Sequence, residues 1–115
     1  MKKSHIRDYT TECFRFFAKH RKTPMEEIAL FDNNAKNDYL AVWETLLELE
    51  RGGKDDIISA IEAVYFVAPS SPIRKGDITA RITRHALEAY TSDRVVYRQL
   101  YTARLICAQK RGLRA

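Results

Sequence analysis

The sequence predicts an all-α fold, a compact multi-helix bundle forming one domain over residues 1–115, and three observations lead there. Apolar residues recur at three- and four-residue steps along most of the chain, the period of a helix that buries one stripe. Proline, glycine and capping residues punctuate those stretches at helix-length intervals. With 45% hydrophobic and 30% charged residues, four Gly and three Pro, the composition fits a folded chain and excludes a disordered or collagen-like one. A chain of 115 residues can bury one core, not two.

Taken in order, Ile6, Tyr9, Cys13, Phe16, Phe17 and His20 share a face and predict a first helix from Ser4 to about His20. "TPME", Thr23 to Glu26, offers a Thr cap, a Pro at the first helical position and a Glu three residues after the cap, which starts a second helix. "DNNAKND", Asp32 to Asp38, is rich in side chains that compete for backbone hydrogen bonds and should break or kink it. A third helix is expected from about Ala35 to Arg51, with Tyr39, Val42, Trp43, Leu46, Leu47 and Leu49 inward, Trp43 as a core anchor, and Gly52 and Gly53 as its left-handed stop. "DDIISAIEAVYFVAP" reads as a fourth, capped by Asp55 or Asp56, burying Ile57, Ile58, Ile61, Val64, Tyr65 and Ala68, and stopped by Pro69. "SSPIRKG" over 70–76 is a loop. Asp77 then caps "ITARITRHALEAY", with Ile78, Ile82 and Ala86 inward and Leu87 beside them. "TSD", Thr91 to Asp93, is a turn and a fresh cap, and the last helix runs from about Asp93 to Lys110 before Gly112.

The formal net charge of +5 is unevenly distributed. Residues 1–23 hold seven Lys/Arg against two Asp/Glu, residues 24–72 three against ten, and residues 73–115 ten against three. A basic C-terminal third beside an acidic middle suggests one surface suited to a polyanion, because a phosphate backbone rewards clustered Lys and Arg. No apolar run approaches the roughly 20 residues of a membrane span. Nothing at the N-terminus reads as a signal peptide, and Cys13 and Cys107 lie far apart at positions where a helix wants a small apolar residue. A soluble protein of the reducing cytoplasm, with no membrane partner, is therefore expected.

On a helical wheel of the last helix, Val96, Leu100, Ala103 and Cys107 fall on one inward line. Arg94, Arg98, Tyr101, Thr102, Leu105 and Gln109 fall on the far side, flanked by Tyr97 and Gln99. A helix in the major groove needs side chains that grip phosphate and reach base edges, Arg toward guanine, Gln toward adenine and Thr toward a thymine methyl. A merely solvated helix does as well with Lys and Glu, yet no Asp or Glu occurs between Arg94 and Lys110. The structural alternative has Arg98 and Arg104 pairing with the acidic middle, and Tyr97 and Tyr101 completing the core or a dimer seam.

"DIISAIEAVYF", "DITARITRHAL" and "SDRVVYRQLYTARLICAQKRGL", in that order, resemble the supporting, positioning and Ser-capped recognition helices of sigma-70 region 4-like helix-turn-helix proteins. The opening "HIRDYTTECFRFF" together with this tail is similar to small prophage and mobile-element regulators of the ArpU and RinA type from Gram-positive bacteria. The resemblance implies N-terminal helices over 1–53 and a helix-turn-helix part over 54–115. It implies a core role for Val96, Leu100 and Ala103, and a DNA-facing one for Ser92, Arg94 and Arg98. Two departures are visible: "RHALEAYTSD" is several residues longer than the usual approach to the capping Ser, and Val95 stands where Thr is usual.

The function expected is sequence-specific binding of double-stranded DNA by a transcriptional regulator of a prophage or mobile element. Arg94, Arg98, Gln99 and Thr102 would read bases, and Arg74, Lys75, Arg81, Arg84, Ser92 and Tyr97 would hold the backbone. The alternatives are a protein-interaction module whose aromatic N-terminal helix and acidic middle bind RNA polymerase or a second copy of itself, as a homodimer, with exposed Phe14, Phe16 and Phe17 as its mark, and a phage packaging or replication accessory. "RGGKDD" lacks the spacing of a phosphate-cradling loop. His5, His20 and His85 have no partner at metal spacing, and His20 is read as core or helix end. The carboxylate pairs Glu26–Glu27 and Asp55–Asp56 sit in first helical turns, where the dipole explains them. No enzyme, metal, cofactor or small-molecule substrate is expected.

Overall fold

The computed structural model describes residues 3–113, which form six helices and no strand. The three long helices are α1 (Lys3–Lys19), α3 (Asn33–Arg51) and α6 (Asp93–Arg111). α4 (Asp55–Val64) and α5 (Asp77–Glu88) are shorter, and α2 (Met25–Ile28) is a single turn. α6 lies at the centre, packed against α1, α3, α4 and α5. That position explains why Val96, Leu100, Ala103 and Cys107 are each at most 1% exposed. Full burial of a Val or Leu side chain stabilises by roughly 1.5–3 kcal/mol, so this stripe anchors the helix. Around it close Phe14 of α1, Val42 of α3, Ile61 and Val64 of α4, and Ile82 and Ala86 of α5, in one continuous core.

Local signals act as expected at several boundaries. The Asp32 carboxylate accepts the Ala35 amide at 2.8 Å and caps α3, which therefore starts at Asn33 rather than Ala35. Gly53, at φ +69, ends it, with the Lys54 amide donating to the Leu49 carbonyl at 2.8 Å and the Gly53 amide to that of Glu50 at 3.1 Å. Gly112, at φ +82, closes α6 in the same way.

Other expectations are corrected. α2 spans four residues, and Pro24 rather than Thr23 stands at its cap. The Thr23 hydroxyl instead meets His20 Nδ1 at 3.2 Å, while the half-buried His20 ring packs on Phe16 and Phe31. Trp43 is not a core anchor: it is 41% exposed, because α3 turns Tyr39, Ala41, Val42, Thr45 and Leu49 inward. Neither Asp55 nor Asp56 caps α4, whose cap position is Lys54. α4 ends at Val64, before Pro69, and Ala68 is exposed in the following loop with φ +44. Gly76, at φ +88, precedes α5, and the Asp77 carboxylate accepts the Arg74 amide at 2.8 Å. Leu87 is 72% exposed.

The α1 stripe includes a residue absent from the expected face. Phe14 is fully buried and stacks on Tyr65 at 5.4 Å between ring centroids. With Phe17 buried and Phe16 half-buried against His20 and Phe31, "CFRFF" is core and not an exposed patch. Arg15 between them is only 6% exposed. Its Nη2 donates to the carbonyls of Ala68, Pro69 and Ser71, clamping the loop between α4 and α5 to α1.

Candidate nucleic-acid interface

α5 and α6 are joined by a four-residue turn, Ala89 to Ser92, because "RHALE" continues α5 to Glu88. Tyr90 holds the left-handed position usually given to glycine, with φ +56. Its amide donates to the Leu87 carbonyl at 3.3 Å, and that of Thr91 to Ala86 at 2.9 Å. The Tyr90 ring is 97% exposed, so packing does not offset the strain. Ser92 caps α6, its hydroxyl accepting the Val95 amide at 3.3 Å. The Thr83 hydroxyl of α5 donates to the Asp93 carboxylate at 2.8 Å and ties the first turn of α6 to its neighbour. Val95 is half-buried.

Beyond this anchored start, Arg94 and Arg98 are exposed and enter none of the ion pairs formed among the described residues. One turn apart, they share a face with Tyr101 and Leu105, which are 51% and 37% exposed. The wheel had placed Tyr101 outward, and its exposure adds an aromatic surface to the basic one. Arg74 and Lys75, before α5, and Arg84 on it are likewise exposed and without an ion pair.

The remaining expected residues are held differently. Gln99 is half-buried, and its Nε2 donates to Asp56 Oδ2 at 3.1 Å while its Oε1 is buried without a partner among the described residues. Thr102 is half-buried. Arg81 is half-buried too, its Nη1 donating at 3.0 Å to the Val64 carbonyl at the end of α4. The Ser92 hydroxyl is used by its cap. Tyr97, 46% exposed, lines a cleft beside α1, about 100° around the helix from Arg98. Arg98 and Arg104 do not pair with the acidic middle; Arg104 Nη1 donates instead to the Tyr65 hydroxyl at 2.8 Å.

The α6 cations that do meet the acidic segment lie at the far end of the helix, and Arg21, just after α1, meets it too, with Nη1 3.7 Å from Glu62 Oε2. Lys110 Nζ lies 2.9 Å from Glu48 Oε1. Arg111 Nε donates at 2.6 Å to Asp38 Oδ1, which also accepts the Tyr9 hydroxyl at 2.6 Å. Arg111 Nη2 donates to Asn34 Oδ1 at 3.2 Å. Burial, then the bond to the Asp38 carboxylate, push the Tyr9 hydroxyl up to about 12. The same carboxylate raises Arg111. Cys13 and Cys107, distant in sequence, are neighbours in the core, where the adjacent Cys107 thiol and then burial push the Cys13 thiol up. A thiol so protonated is a poor nucleophile.

Among the described residues no group of His, Cys, Asp and Glu could hold a metal, and no helix is long and apolar enough to cross a membrane. No protein-family model, curated protein or solved structure matches the chain, so the reading of this face rests on its own residues.

Proposed function

We propose that the protein binds double-stranded DNA sequence-specifically through α5 and α6, as a helix-turn-helix transcriptional regulator of a prophage or mobile element. The observation that carries this reading is the state of the first turns of α6. Arg94 and Arg98 stand exposed and unpaired on a helix whose start is held by the Ser92 cap and the Thr83–Asp93 bond. Arginines on a rigid helix terminus can make bidentate contacts with guanine without reordering the protein. Arg74, Lys75 and Arg84 supply phosphate contacts beside them. Gln99, Arg81 and Tyr97 are left out of the contact set, since internal bonds hold the first two and Tyr97 lines the cleft beside α1. The role in a prophage or mobile element follows the resemblance of the sequence. An interaction module on the N-terminal helix needs exposed phenylalanines, and Phe14 and Phe17 are buried.

The test is selection from a random DNA pool at stated salt, followed by the slope of affinity against salt. An enriched sequence and a steep slope are expected. Arg98→Ala weakens the selected site far more than random DNA, whereas Arg84→Ala weakens both alike and lowers the salt slope by about 1. A flat salt dependence with no enriched sequence refutes the reading.

A further inference from the structure

Between the N-terminal half of α1 and the α5–α6 pair lies a cleft of about 550 Å³. That volume falls in the range of sites for small organic molecules, roughly 300–1,000 Å³. Its apolar lining comes from Ile73, Ile78, Ile82 and Leu100, with Tyr65 and Arg104 as its inner polar groups. Tyr65 is 2% exposed and its ring is fixed by stacking on Phe14. Its hydroxyl accepts from Arg104 Nη1 at 2.8 Å, which leaves the phenolic proton with no acceptor among the described residues. The half-buried Arg104 guanidinium spends one of its five N–H groups on that bond and enters no ion pair among those residues.

The other charges of the lining are already matched. Arg7 Nε lies 3.5 Å from Asp8 Oδ1, and Glu12 Oε1 lies 3.6 Å from Arg15 Nη1. Arg104 is thus the lining charge without a counter-charge, beside a buried O–H that needs an acceptor. Both defects are removed by one group, an oxyanion. An inorganic anion would leave the apolar floor unused, so the ligand carries a hydrocarbon or aromatic body as well.

We propose that this cleft binds a small amphipathic organic anion, its acidic group on Arg104 and Tyr65 and its apolar body on the isoleucines. No Cys, Ser, His or Lys lines the cleft, and the role assigned to it is binding. The proposal is independent of the DNA reading.

The full-length protein is titrated with 1-anilinonaphthalene-8-sulfonate and, in parallel, with neutral N-phenyl-1-naphthylamine. Saturable binding of one sulfonate per chain is expected, tighter than that of the neutral dye. Arg104→Gln lowers the sulfonate affinity about tenfold, the loss of one charge-assisted contact, and leaves the neutral dye unchanged. Thr79→Trp, at the exposed rim and remote from the core, lowers both affinities by obstruction. Unfolding midpoints within a few degrees of wild type show that both variants fold. No saturable sulfonate binding, equal affinity for the two dyes, or wild-type sulfonate affinity in either variant overturns the proposal.

Discussion

The two ends of α6 are both basic and stand in different surroundings. Arg94 and Arg98 at the start face solvent, while Lys110 and Arg111 at the end meet Glu48 and Asp38 of α3. The acidic middle of the chain therefore neutralises one end of the helix and leaves the other bare. Coulombic pairing between exposed groups contributes little, but Asp38 is only 23% exposed and also accepts the Tyr9 hydroxyl, so its removal from water is compensated by two donors. A cationic stripe thus divides into a structural half and a free half, a division that net charge alone does not reveal.

The comparison can be broken first at the structural end. Arg111→Ala is expected to cost about 2 kcal/mol of stability, since Asp38 stays half-buried with one charge-assisted bond fewer. DNA affinity, measured well below the new unfolding midpoint, should not change. A variant as stable as wild type would place Arg111 with ordinary surface ion pairs. At the free end the pattern inverts. Arg98→Ala is expected to lose about 1–3 kcal/mol on the selected DNA site, with stability within about 0.5 kcal/mol of wild type. If denaturant midpoints showed Arg98→Ala to be the less stable of the two, the assignment of halves would be reversed.

Titration sharpens the contrast by about 1 kcal/mol or more. Tyr9 keeps its proton to about 12 in the folded protein against an ordinary 10.0. The folded state is therefore favoured fully below pH 10, and that margin is lost as pH climbs from 10 to 12. Tyr9→Phe should flatten this part of the pH–stability curve, while Arg98→Ala should leave it as it is. The smallest effect lies at the turn before the free end. Tyr90→Gly relieves a left-handed non-glycine residue that packs on nothing, and is expected to stabilise the protein by about 0.5 kcal/mol. A loss of stability instead would show that the exposed ring contributes to the turn.

Much of the helical layout was legible because helix signals are local. The Ser92 cap, the inward line of Val96, Leu100, Ala103 and Cys107, and the Gly53 and Gly112 stops each depend on residues within about one turn. Of the apolar face expected on α3 only Trp43 turns outward, because the helix carries apolar residues on two faces, Tyr39–Val42–Leu49 and Trp43–Leu47, and periodicity cannot rank them. Contact with α1 and α6 makes the choice. The candidate interface was legible in part: the wheel placed Arg94 and Arg98 outward, but could not foresee that Gln99 meets Asp56, 43 residues earlier, or that Arg81 reaches the end of α4.

By itself, then, the sequence determined that this chain is helical, where most helices start and stop, and which line of the last helix turns inward, because backbone capping and the 3.6-residue period are properties of neighbouring residues. Only the tertiary structure decided which arginines stay free. Whether a guanidinium is paired depends on the carboxylate brought opposite it by a different helix, and that distance, as in Asp38 to Arg111 across 73 positions of chain, is written in no local pattern.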